Sequence, residues 1–105
     1  MVSDAITAGT GVTLNTQAIR RVGKVVNLSL VITTPQTSGT LNIGKFSSAN
    51  AKYRPSSTQN VTALAYSGTS TQKVCQVSIK TNGDITCEFH DALKYISLNT
   101  TYLAN

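Results

Sequence analysis

Few side chains in this sequence could carry catalysis. His90 is the only histidine, Asp91 follows it, and the chain has 11 serines. A Ser-His-Asp set is therefore formally available. No G-x-S-x-G elbow accompanies it, and any serine-rich chain offers the same set by composition. Paired carboxylates for glycoside hydrolysis are no better supported. Asp84, Glu88 and Asp91 lie close in sequence, but Glu88 falls on the polar face of its strand and the adjoining turn explains Asp84. Gly9-x-Gly11 lacks the preceding strand and following helix of a phosphate loop. The inventory predicts no catalytic residues, no cofactor and no metal, hence not an enzyme.

Cys75 and Cys87 could form a disulfide, a redox pair or part of a metal site. The hairpin that carries them decides between these. A two-residue Asn82-Gly83 turn would put the apolar sets on opposite sides of the ribbon, which a half-buried sheet does not permit. A three-residue turn, Thr81-Asn82-Gly83, with Gly83 left-handed as a G1 bulge, restores one apolar face. Ile79 then faces Ile85, Val77 faces Cys87 and Cys75 faces Phe89. The cysteines become diagonal neighbours roughly 7–8 Å apart, beyond the usual disulfide span. Both are expected to be free, buried thiols that behave as small hydrophobes, as suits assembly in a reducing cytosol. His90 points away from Phe89, so a metal lacks its third ligand.

Binding chemistry is the stronger prospect. Formal net charge is +5, with nine Lys and Arg against four acids. That attracts anionic partners such as nucleic acid or a phosphate-bearing polysaccharide, although scattered charge also serves solubility. Two clusters stand out: Arg20-Arg21-x-x-Lys24 and Lys52-Tyr53-Arg54. Basic residues interleaved with an aromatic are what a nucleic-acid-binding sheet requires, yet no recognised nucleic-acid signature accompanies them. The bland reading makes Tyr53 a loop anchor and Arg54 the partner of a carbonyl or carboxylate. Three N-x-S/T sequons, at Asn27, Asn60 and Asn99, are incidental in so polar a chain.

These residues must be positioned by strands. The chain has 105 residues, 12% charged and 40% apolar, with 16 Thr, 8 Asn and a single Glu. Thr is β-branched and fits a half-buried pleat, whereas helical surfaces lean on Glu, Lys and Ala. Val26, Leu28, Leu30 and Ile32 alternate with polar residues, giving the clearest strand, Lys24 to Thr34. Further strands are predicted at 18–22, 40–46, 58–67, 73–80, 84–89, 94–98 and 101–103. Residues 47–57 read as a loop, Asp91 to Leu93 as one helical turn, and residues 1–15 as a linker or lead-in before a β-domain over 16–105. No stretch approaches the roughly 20 apolar residues of a membrane span, and no signal peptide is evident after Met1. The fold class is all-β, an antiparallel β-sandwich or barrel-like domain.

The order of the pieces resembles C-terminal head or adaptor domains of tail-fibre and baseplate proteins from phages of Gram-positive bacteria. The resemblance runs from Arg21-Val22-Gly23-Lys24-Val25-Val26, through Tyr53-Arg54-Pro55-Ser56 and the hairpin Val77 to Ile85, to Tyr95-Ile96-Ser97-Leu98-Asn99-Thr100-Thr101-Tyr102-Leu103. It departs from the family in lacking Trp and in carrying Lys52 where glycine often precedes the aromatic of the Arg-Pro loop. It implies a β-sandwich or barrel-like head, often a homotrimer, at the distal end of a virion tail appendage assembled in the host cytoplasm. Its implied work is binding a host cell-wall saccharide or, alternatively, docking a receptor-binding protein onto the baseplate. Sugar stacking would fall to Tyr53, Tyr66, Tyr95 or Tyr102 in place of Trp. The ligand-binding candidates are Lys52, Tyr53, Arg54 and Tyr66. A small nucleic-acid-binding β-barrel is a second alternative, and the appendage of a wall hydrolase a third.

Overall fold

The computed structural model describes residues 6–9, 11–34, 38–66, 72–91 and 94–104. Eight strands form one antiparallel sheet: β1 (Ile6–Ala8), β2 (Thr13–Val22), β3 (Val25–Thr33), β4 (Ser38–Phe46), β5 (Gln59–Tyr66), β6 (Gln72–Ile79), β7 (Asp84–Asp91) and β8 (Tyr95–Leu103). Their spatial order is β1-β4-β7-β6-β5-β8-β3-β2. The sheet curls until its edges meet, where the Ile6 amide donates to Gln17 Oε1 at 2.7 Å. A single nearly closed barrel results, so of the two expected all-β architectures the barrel-like one is realised.

The curl follows from the alternation. In β3, Val26, Leu28, Leu30 and Ile32 are buried while the residues between them are exposed or half-buried. β8 contributes Ile96 and Leu98, β5 Ala63 and Ala65, and the β6–β7 hairpin Val77, Ile79, Ile85 and Cys87. Each fully buried Val, Ile or Leu contributes about 1.5–3 kcal/mol. Closing the sheet on itself provides one shared interior in place of two half-wet faces.

The hairpin takes the expected register, with Val77 opposite Cys87 and Ile79 opposite Ile85. Its three-residue turn ends on Gly83 at φ 98°, and the Lys80 amide donates to the Asp84 carbonyl at 2.8 Å.

The structure differs from the sequence expectations in four places. Residues 1–15 contain β1 and the start of β2. The backbone of β1 packs so closely on β4 that a Cβ on Gly9 would lie 2.0 Å from the Asn42 carbonyl oxygen, and one on Gly44 2.7 Å from that of Thr7. Those glycines, which read as lead-in or strand interior, admit the close approach. The expected loop 47–57 contains a 3₁₀ segment, Ser48–Tyr53. The two expected terminal strands are one, β8, because β3 pairs along its whole length. Asp91 is the last residue of β7, and the rest of the turn expected over 91–93 lies outside the described residues. Residues 35–37, 67–71, 92 and 93 lie outside the described residues, as do the side chains of Glu88, Phe89, His90 and Asp91, with the readings that fall on them.

Candidate ligand-binding surfaces

Lys52, Tyr53 and Arg54 sit where the 3₁₀ segment returns to the barrel end, and each has a different role. Tyr53 is 4% exposed, and its ring lies 6.1 Å from that of Phe46. Its carbonyl accepts a hydrogen bond from the Tyr102 hydroxyl at 2.6 Å. Arg54 Nη2 donates to the Phe46 carbonyl at 2.9 Å, and its Nε is buried with no partner. Above it lies Gly83, whose added Cβ would be 2.7 Å from Arg54 Nε. Pro55 bridges Ala104, and the Ser56 amide donates to the Leu103 carbonyl at 2.9 Å. Three segments that carry the family resemblance, the Arg-Pro loop, the Asn-Gly hairpin and the terminal Tyr-Leu strand, thus meet in one clasp. Tyr53 is an anchor and Arg54 a carbonyl partner, the bland readings of both. A ligand finds no open Tyr53 ring face here.

Burial alone pushes the Tyr102 phenol above the ordinary tyrosine range. The Cys75 thiol is pushed up by its hydrogen bond with Cys87, then by burial and the neighbouring sulfur's charge. Both cysteines are buried free thiols in this structure.

Lys52 points outward and borders a cleft of about 490 Å³ lined by Ile19, Arg20, Arg21, Val22, Gly23, Lys52 and Tyr53. Two basic clusters that the sequence keeps thirty residues apart come together here. Arg21 joins them, donating from Nε to the Gly23 carbonyl at 2.6 Å and from Nη1 to the Lys52 carbonyl at 2.5 Å. Arg20 and Lys52 are exposed at its rim, and Lys52 Nζ lies 5.3 Å from the Tyr53 ring centroid. Sequence reading named both clusters but could not pair them, because only the long-range folding of the 3₁₀ segment onto the β2–β3 hairpin does so.

Tyr66 is placed elsewhere. It pairs with Tyr95 across β5 and β8, their ring centroids 5.4 Å apart. Both are half-buried on the outer face, and Lys94 Nζ lies 5.3 Å from the Tyr95 ring centroid. Leu64 and Val74, a cross-strand pair, are 46% and 65% exposed beside them. Of the four tyrosines, Tyr53 and Tyr102 are buried, which leaves Tyr66 and Tyr95 as the aromatics open to solvent among the described residues. Among the described residues no group of three metal-binding side chains occurs.

An outer wall of Thr, Ser and Asn around an apolar interior, with no α-helix among the described residues, defines a β-barrel domain. The solved head domain of lactococcal phage bIL170, described in connection with the receptor-binding domains of lactococcal phages, has this architecture. It superposes with a TM-score of 0.74 over 99% of this chain and 98% of that chain, at 16% identity. The chain has the fold of a phage head domain, as the sequence resemblance implied. No protein-family model matches the sequence, and no curated protein does.

Proposed function

We propose that this domain is the receptor-binding head of a phage tail and that it acts in the virion by binding a host cell-surface saccharide, not by catalysis. The observation that carries the reading is whole-chain likeness to the bIL170 head, which leaves almost no residue of either chain unmatched. A shared fold alone is an analogy, so the surfaces must supply the rest. The cleft at the β2–β3 hairpin and the Tyr66–Tyr95 pair are the open surfaces with polar and aromatic groups suited to a sugar.

The domain works as a homotrimer in this reading. Val22, Val25 and Leu103 form an exposed apolar row across β2, β3 and β8, at 63%, 46% and 60% exposure. Such a row suits burial by sister subunits. A solution mass near three times 11.1 kDa supports the trimer.

The deciding experiment is sedimentation of fluorescently labelled domain with a panel of Gram-positive cells, with purified wall polysaccharide as competitor. Retention by some strains, abolished by that strain's own polysaccharide, is expected. Retention that survives complete removal of wall polysaccharide overturns the saccharide assignment. Absence of retention by any strain, with retention instead by purified baseplate protein, favours the adaptor role.

A further inference from the structure

We infer that Asn82–Gly83, in the β6–β7 turn, is a self-modification site. The Asn82 side-chain amide is converted to a carboxylate through a backbone imide, at a rate that Lys80 and Asp84 restrain while the hairpin is closed. This chemistry governs how long the folded domain keeps its clasp, whatever the domain binds.

The reaction needs only water. The Gly83 amide nitrogen gives its proton to solvent base and attacks Asn82 Cγ. A cyclic imide forms as the bond from Cγ to the side-chain nitrogen breaks, and that nitrogen leaves as ammonia after taking a proton from solvent. Water then opens the imide. Breaking the new Cγ–N bond gives aspartate, and breaking the original peptide C–N bond gives isoaspartate. The net change is loss of ammonia and gain of water.

Of the chain's eight asparagines, Asn82 alone is followed by glycine. The residues after Asn15, Asn27, Asn42, Asn50, Asn60 and Asn99 are Thr, Leu, Ile, Ala, Val and Thr. Each sets a Cβ beside the attacking nitrogen, and the β-branched ones crowd it most. Glycine has no Cβ. Asn82 is also exposed, so water reaches its side chain.

The closed hairpin opposes the reaction at three atoms. Gly83 is buried, and its amide donates to the Lys80 carbonyl at 2.9 Å, which withholds the proton that must leave. Asn82 Oδ1 accepts from the Asp84 amide at 3.1 Å, and Asn82 Nδ2 donates to Asp84 Oδ2 at 3.2 Å. Turning Cγ into the path of attack breaks both of these bonds. Asp84 is itself steadied by Lys45, 3.8 Å from its other oxygen.

The product removes the restraint that delayed it. A carboxylate at position 82 has no N–H for Asp84 Oδ2 and repels that oxygen instead. Isoaspartate also lengthens the backbone by a methylene inside a tight turn. Gly83 has no space to take up the extra length: a Cβ there would lie 2.7 Å from both Arg54 Nε and the Phe46 carbonyl oxygen. Its own carbonyl accepts from the Phe46 amide at 3.0 Å, a bond that a displaced turn loses. Conversion therefore loosens the clasp at the barrel end.

The test is storage of the purified domain in warm, mildly alkaline buffer, followed by intact mass and by peptide mapping that separates aspartate from isoaspartate. Folded wild type is expected to convert at Asn82 before any other asparagine. It should do so about tenfold or more slowly than the same chain in denaturant, because the turn's hydrogen bonds must open first. Folded Asp84→Ala, with Asp84→Ser in its place if the first does not fold, should convert several-fold faster than wild type. The converted fraction should melt several degrees below the fresh domain. Equal rates in the folded and denatured chain, an unchanged rate in the folded Asp84 variant, or faster conversion at another asparagine would each overturn the assignment. A converted fraction that melts with the fresh domain overturns its effect on the clasp.

Discussion

Gly83→Ala is the substitution that most directly tests the clasp at the barrel end. Gly83 has φ +98°, and a Cβ there would lie 2.7 Å from Arg54 Nε and 2.7 Å from the Phe46 carbonyl oxygen. An L-residue in left-handed backbone costs about 1–2 kcal/mol. Overpacking adds about 1–3 kcal/mol, because the Phe46 carbonyl belongs to a strand and cannot swing aside. The expected total is about 2–5 kcal/mol, or a melting temperature lowered by about 10–30 °C in a domain of this size. Gly23→Ala is the internal control. Gly23 also has positive φ, +61°, but nothing within 4 Å of its would-be Cβ, so it should show the backbone cost alone. Removing Arg54 as well, in R54A/G83A, relieves one of the two close contacts and should recover part of the loss. The assay is chemical denaturation of all three variants with wild type. A Gly83→Ala cost no larger than that of Gly23→Ala would refute the steric argument and, with it, the placement of Arg54 beneath the turn.

Three further outcomes follow from the same structure. Tyr102→Phe removes a buried donor from the Tyr53 carbonyl and should cost about 1–3 kcal/mol by denaturant melting. The raised pKa of folded Tyr102 makes wild-type stability full below the unfolded tyrosine pKa of about 10 and progressively lost as pH rises above it. The Tyr102→Phe variant should lack that share of the alkaline loss. Cys75 and Cys87 should resist a water-soluble disulfide reagent in the native state and both react once denaturant is added, because Cys75 is held as thiol; fast native labelling would contradict this. Gly44→Ala should detach β1, since its Cβ would meet the Thr7 carbonyl at 2.7 Å, and faster amide exchange in β1 with protection kept in β3 and β8 is the expected signature.

Much of the barrel was legible because period-two patterning is hard to disguise. The hairpin register needed only the requirement that Val77, Ile79, Ile85 and Cys87 share a face, and Gly83 was the residue able to take the bulge. β1 was not legible because three residues, Ile6, Thr7 and Ala8, carry no period, and their place depends on glycines far along the chain. Of the candidate site residues, Tyr53 and Arg54 drew notice through their types, but type does not reveal whether an aromatic or a guanidinium faces solvent or a carbonyl. Tyr66 and Tyr95 were both named but not paired, as were Lys52 and Arg21, since both pairings join distant segments.

The clasp is fastened to main-chain oxygens. Tyr102 reaches the carbonyl of Tyr53, Arg21 those of Gly23 and Lys52, and Arg54 that of Phe46. A carbonyl is present whatever side chain the residue bears, so Lys52 can be exchanged while its oxygen goes on anchoring Arg21. Fastening thereby leaves the outward side chains at the same positions free to vary, as an editable layer. A library varied at Arg20, Lys52, Tyr66 and Tyr95 should therefore retain folded members in high proportion.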